Sequence, residues 1–195
     1  MVHRKMPAAW VSSPFQFRKY LWFNCCTANE LNFGHELNII VMALEVTTTA
    51  FEHGAMIPKV HTCDGDDLSP PISWYGAPDE TASFALVMDD PDAPGGTFTH
   101  WIIYNLPPDV HELEKIVPIE KNLDNGAIQG KNDFGKYGYR GPCPPKGETH
   151  RYYFRIFALK KKLPPETANR GPDIHSAMEG LIIESAEYMG KYKRG

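Results

Sequence analysis

The sequence predicts a mainly β domain whose central sheet is covered on both faces, with one helix close to the C-terminus. Three observations carry that prediction. The run Ser83-Phe84-Ala85-Leu86-Val87-Met88 is continuously apolar, the pattern of a strand buried on both sides rather than one alternating between core and water. The remaining apolar runs are separated by connections rich in Gly, Pro and Asp, residues that turn a chain. Near the end, Met178, Leu181, Ile182 and the Ser185-Ala186 pair follow i, i+3, i+4 spacing, so residues 173–187 are predicted to form an amphipathic helix on the sheet.

In chain order, residues 43–51 read as a first strand, residues 83–88 as the buried central one and residues 101–106 as a similar neighbour. Residues 151–159 are a third long strand and residues 188–193 a further one, whereas residues 123–138 contain no long element. There is no internal repeat or low-complexity linker, so residues 42–195 are expected to form a single domain. Residues 1–41 are of a different kind. Trp10, Phe15, Phe17, Tyr20, Trp22 and Phe23 are scattered in them without a period, and they read as an extension outside the fold, with Met42 as the expected native start. The run Tyr20-Leu21-Trp22-Phe23 is cut by Asn24, short of the roughly 7–15 apolar residues of a secretory signal. No stretch approaches the roughly 20 apolar residues of a membrane span, so no stable membrane insertion is expected.

With 195 residues, 42% apolar and 23% charged, the chain can bury a sizeable core. Its net charge of −4 divides into +2 over the first 41 residues, from Arg4, Lys5, Arg18 and Lys19 against Glu30 and Glu36, and −6 over the rest. A mildly acidic domain lacks the clustered cations that grip a phosphate backbone, so no nucleic-acid partner is expected. Four cysteines, of which Cys25 and Cys26 lie in the extension, are too sparse for a disulfide scaffold. Cys63 and Cys143 are expected to be small buried thiols in a reducing, cytoplasmic setting, although a bond between them stays open. Neither has the paired spacing of a zinc ligand, and neither metal nor cofactor is expected.

The chemistry lies in three polar clusters at the ends of apolar runs. They are Asp67-Leu68-Ser69-Pro70-Pro71-Ile72-Ser73-Trp74; Asp89-Asp90-Pro91-Asp92-Ala93-Pro94 followed by Thr99-His100-Trp101; and the run from Asp133-Phe134-Gly135-Lys136 through Gly141-Pro142-Cys143-Pro144-Pro145 to His150-Arg151-Tyr152. Glycines let the backbone approach a ligand and prolines fix φ, so the last cluster can form a rigid concave wall. Strand parity predicts that Asp90 shares a face with Phe84, Leu86 and Met88, His100 with Ile102, Tyr104 and Leu106, and His150 with Tyr152, Phe154 and Ile156. Each polar residue therefore sits at a strand end on a face that otherwise reads as core. If the first two strands are antiparallel neighbours, Asp90 meets His100.

In order and spacing, DPDAP before His-Trp and GPCPP before His-Arg-Tyr resemble the phosphatidylethanolamine-binding protein family, in particular its bacterial and archaeal, YbhB/YbcL-like branch. The resemblance runs from Met42 to the C-terminus. It implies a β-sandwich with a large central sheet, a smaller second sheet and a C-terminal helix packed on it. It also places His150 and Tyr152 beside Asp90 and His100, and suggests a strained, cis Ala93-Pro94 turn. The implied ligand-binding set is Asp90, His100, Gly141, Pro144, Pro145, His150 and Tyr152, with Asp92, Pro94 and Trp101 behind it. Trp74 and Trp101 are expected to be structural.

A carboxylate beside two imidazoles can fix a ring tautomer and leave outward N–H groups for an incoming anion. The expected function is non-catalytic binding of a small anionic or phosphorylated ligand, resembling a phospholipid headgroup. A hydrolase built on Asp90, His100 and His150 is the alternative, with Ser69 and Cys143 as the nearby nucleophiles. Because some eukaryotic relatives are called Raf kinase inhibitor proteins, a regulatory interaction module is a third reading, and a homodimer is compatible with all three.

Overall fold

The structure is a computed structural model describing residues 43–167 and 171–195; the extension 1–41 lies outside the described residues. The chain runs through β1 (Glu45–Thr47), a 3-10 turn (Lys59–His61), β2 (Ile72–Tyr75), β3 (Ser83–Asp90), β4 (Phe98–Leu106) and β5 (Glu112–Leu113), then β6 (Ile128–Gln129), β7 (Thr149–Leu159), α1 (Gly171–Met178) and β8 (Ile182–Lys193). Two antiparallel sheets result, one of order β1-β2-β5 and one of order β6-β4-β3-β7-β8. β3 lies at the centre of the larger sheet, and every one of its residues is buried. On one face Phe84, Leu86 and Met88 pack with Phe154 and Ile156 against Val46, Ile72 and Trp74 of the small sheet. On the other, Ala85 and Val87 pack with Ile102 and Tyr104 against Ile174 and Met178 of α1. Burial on both faces is why the run 83–88 shows no alternation. The architecture is the expected sandwich with a helix on the large sheet. Among the described residues no helix is long and apolar enough to cross a membrane.

The helix is shorter than its periodicity predicts. It ends at Met178, Gly180 follows at φ 71°, and residues 182–193 extend as β8 instead of continuing the helix. β7 explains the difference. It is a long strand whose outer edge pairs with β8 from Thr149↔Lys193 to Leu159↔Ile182, with one register shift after Ala158, and that long ladder outweighs a weak i, i+3 pattern.

Strand parity holds for Asp90 and His150 but not for His100. Met88 pairs with Trp101 whereas Asp89 pairs with Thr99, so His100 is an extra residue in β4, a β-bulge. The bulge turns His100 to the side of Trp101 and Tyr152, while Ile102 and Tyr104 face the helix layer. A second irregularity, with Asn105 at φ 60°, returns Leu106 to the Phe84 side. Asn105 holds this kink by hydrogen bonding the backbone of Leu163 with both ends of its carboxamide, at 2.7 and 2.8 Å.

Two local expectations are also corrected. The Ala93-Pro94 peptide is trans, as are all described peptide bonds, and the turn closes through Gly96 N–H to the Ala93 carbonyl at 3.0 Å. Cys63 and Cys143 are not free thiols but a disulfide, with Cα atoms 5.4 Å apart. Their 80-residue separation hides the contact in the sequence. In space, the Tyr139 hydroxyl donates to the His61 carbonyl, Gly141 N–H donates to Asp67 and Cys63 N–H donates to the Pro142 carbonyl, sewing the two loops together. A Cβ at position 141 would meet the His61 carbonyl at 2.2 Å, so only glycine permits this approach.

Candidate functional site

Asp90 ends β3 and His150 opens β7, two strands that pair directly. The pair is buried, and His150 Nδ1 lies 2.8 Å from Asp90 Oδ2. Because the carboxylate only accepts, Nδ1 carries the proton. Asp90 Oδ1 accepts from Asp92 N–H at 2.9 Å, so this carboxylate is oriented from both sides. The second imidazole nitrogen faces Glu148 Oε2 at 3.3 Å. Burial opposes charge on His150, but the Asp90 hydrogen bond and then Glu148 outweigh it, and its pKa is raised.

His100 behaves differently. Its Nδ1–H donates to the Arg140 carbonyl at 2.8 Å, and burial, only partly offset by that carbonyl and by Asp90, lowers its pKa. The ring is therefore neutral near pH 7, with Nε2 left as an acceptor. The expected pair of equivalent donors becomes one donor, His150, and one acceptor, His100. Tyr152 packs edge-on to His100 at 5.3 Å, and its wholly buried hydroxyl has no hydrogen-bond partner. Burial, then the neighbouring Asp90 charge, pushes the phenol well above its ordinary pKa, so this hydroxyl keeps its proton, close to Asp90.

Asp90, His100 and His150 line a cavity of about 350 Å3 walled by Pro94, Phe98, Phe134, Pro144 and Pro145, with Arg194 also in the lining, whereas Tyr152 and Glu148 lie outside it. Larger cavities of about 440 and 480 Å3 lie around β5, but they carry Glu112 and Glu114 and share no residue with the histidine pocket. Among the described residues no cluster of His, Cys, Asp and Glu could hold a metal ion.

Three residues of the expected set have other tasks. Gly141 spends its N–H on Asp67 at 2.6 Å and lines a neighbouring cavity rather than this one. Trp101 is core, donating from Nε1 to Gln129 at 2.8 Å. Asp92 turns away to clamp Arg151, accepting from its backbone N–H and guanidinium at 2.6–2.9 Å, and that guanidinium first of all holds the carboxyl down to about 2. Of the proposed nucleophiles, Cys143 is in the disulfide and Ser69 Oγ accepts from Val117 N–H at 2.9 Å. Phe98, Phe134, Glu148 and Arg194 escaped sequence reasoning as site residues. Phe98 precedes the bulge and so had a weak signal; for Arg194 the sequence held none.

A profile of the phosphatidylethanolamine-binding proteins matches residues 47–193, a span that holds the large sheet, most of the small one and every pocket-lining residue except Arg194. The chain belongs to the phosphatidylethanolamine-binding protein family. Within the family it is 48% identical over 152 residues to a UPF0098 protein of Methanothermobacter thermautotrophicus, covering 78% of this chain and 100% of the relative. It is also 48% identical over 155 residues to a UPF0098 protein of Aquifex aeolicus, covering 77% and 89%. Two solved family structures are similar. A phosphatidylethanolamine-binding protein homologue from Chlamydia trachomatis, CT736, has TM-score 0.71 and 40% identity, covering 79% of this chain and 99% of the homologue. Escherichia coli YbcL has TM-score 0.73 and 34% identity, covering 78% and 99%.

Proposed function

We propose that the Asp90/His100/His150 pocket binds a small phosphorylated or similar anionic group without transforming it. The buried Asp90–His150 pair carries the reading, since it holds a charged donor in a preformed, proline-walled cavity. Arg194 also reaches that lining, with its Nε held by Asp64 at 3.1 Å, and the family's name points to the same ligand chemistry. The commitments of Cys143 and Ser69 support binding over nucleophilic catalysis. Neutral His100 adds selectivity, because its free nitrogen accepts a proton-bearing oxygen, as a monoprotonated phosphate offers and sulfate does not.

The expected pH dependence follows. The raised pKa of His150 means that protonation, and the charge an anion seeks, begins above pH 6.5, so affinity rises as pH falls through that region. A phosphate monoester dianion takes up one proton near pH 6, which strengthens the His100 contact over the same range. Calorimetry from pH 8 to 5.5 should show phosphate affinity climbing more steeply than sulfate affinity, and His150→Gln should flatten both curves. Flat wild-type curves would remove the histidine-based site. Glu148 competes with the ligand for His150 Nε2, so Glu148→Gln should tighten phosphate binding about 3- to 10-fold at pH 7. Weaker binding in that variant would mean that the help Glu148 gives in charging His150 outweighs that competition.

A further inference from the structure

The pocket has a neighbour, a cavity of about 300 Å3 lined by the Cys63–Cys143 disulfide, Phe134, Lys136 and the Asp67–Arg140 ion pair. Phe134 and Cys143 line both cavities, so the aromatic ring and the disulfide corner stand between them. Phe134 is 45% exposed, yet its loop is prebuilt. The buried Asn132 carboxamide accepts from the N–H groups of Phe134 and Lys136, at 3.1 Å each, and donates to the Gly138 carbonyl at 3.0 Å. Asp133 fastens the loop to β4 by accepting from Thr99 N–H at 2.7 Å and donating to the Thr99 carbonyl at 2.9 Å. The ring is thereby held edge-on to Phe98 at 4.7 Å and to His100 at 5.4 Å. Ordering a half-exposed aromatic in this way gains little for the core and produces a firm apolar ridge between two cavities.

The charges on the far side of the ridge favour an acid. Arg140 and Asp67 balance each other at 3.0 Å, and the Lys136 ammonium has no side-chain partner among the described residues, which leaves this compartment a surplus positive charge. A bare phosphate in the first cavity leaves that charge unused. We propose that the two cavities form one groove and that the second takes another acidic group of the same ligand: a two-headed anion, with phosphate or carboxylate groups joined by a short apolar linker crossing Phe134. This rests on the phosphate-pocket reading above.

Calorimetry of the full chain at fixed ionic strength with α,ω-alkane bisphosphates of two to six carbons, each beside the monophosphate of equal chain length, tests the proposal. At least one bisphosphate should bind ten-fold or more tightly than its monophosphate partner, well beyond the two-fold expected from having two equivalent heads. Lys136→Glu should abolish that gain and leave inorganic phosphate binding unchanged. If monophosphates bind but no linker length brings a gain, the second compartment is wrong and the first pocket stands. A gain that survives Lys136→Glu overturns the compartment equally. If neither phosphate nor any monophosphate binds, the pocket reading fails and this proposal falls with it.

Discussion

Replacing Asp90 with alanine is expected to weaken phosphate binding by roughly 10- to 100-fold at pH 6.5, the value of a charge-assisted hydrogen bond of about 1.5–3 kcal/mol. Without its carboxylate, His150 keeps the burial that disfavours charge and loses the stronger of the two partners that favour it, so the ring's charge is weakened and Nδ1 is no longer held as the donor. Asp92→Ala is the matched control. It removes a carboxylate two residues away whose partners are Arg151 groups at the surface, so the affinity change should stay within about three-fold. The sign of its stability effect is separate: the depressed Asp92 pKa contributes stability above pH 3.8 that is lost as pH falls through about 2, and the alanine variant lacks it. Asp90→Ala also leaves Nδ1 of a buried imidazole without its partner, so near-ultraviolet circular dichroism should first show the folded state, and Asp90→Asn provides a milder version. Equal losses from the Asp90 and Asp92 substitutions would sink the assignment of Asp90 as the group that sets the donor.

The second large effect concerns stability. Removing the Cys63–Cys143 bond through the double substitution Cys63→Ser/Cys143→Ser is expected to cost roughly 2–4 kcal/mol, toward the upper end because the bond closes an 80-residue loop. For a domain of this size that corresponds to a fall in Tm of roughly 5–15 °C. Phosphate affinity should fall much less, since the loop stays tied by Gly141 to Asp67, by Tyr139 to His61 and by Cys63 N–H to Pro142. Non-reducing peptide mapping should recover residues 63 and 143 linked. An unchanged melting temperature together with unlinked peptides would mean that the two sulfurs are thiols, as their sparse distribution in the sequence suggests.

The division between sequence and structure follows the range of the interactions involved. Local pattern sufficed for β3, because a strand buried on both faces must be apolar at every position, and for Asp90 and His150, because parity within an unbroken strand is strict. It failed for residues 182–193, where a helix-like spacing lost to a ladder along β7, a partner more than twenty residues away. The face of His100 was equally out of reach, since a bulge is defined by two strands at once and a single strand's sequence cannot show where the pairing slips. The electrostatics divided in the same way. Strand ends together with the family resemblance put a carboxylate and two imidazoles in one pocket, but which ring is charged depends on contacts such as the Arg140 carbonyl on His100 and Glu148 on His150. The sequence by itself thus determined which residues end the buried strands and the residue types from which the proposed anion site is built. Tertiary structure decided the donor and acceptor roles, the disulfide and the Phe134 ridge, because each depends on groups brought together by long-range folding.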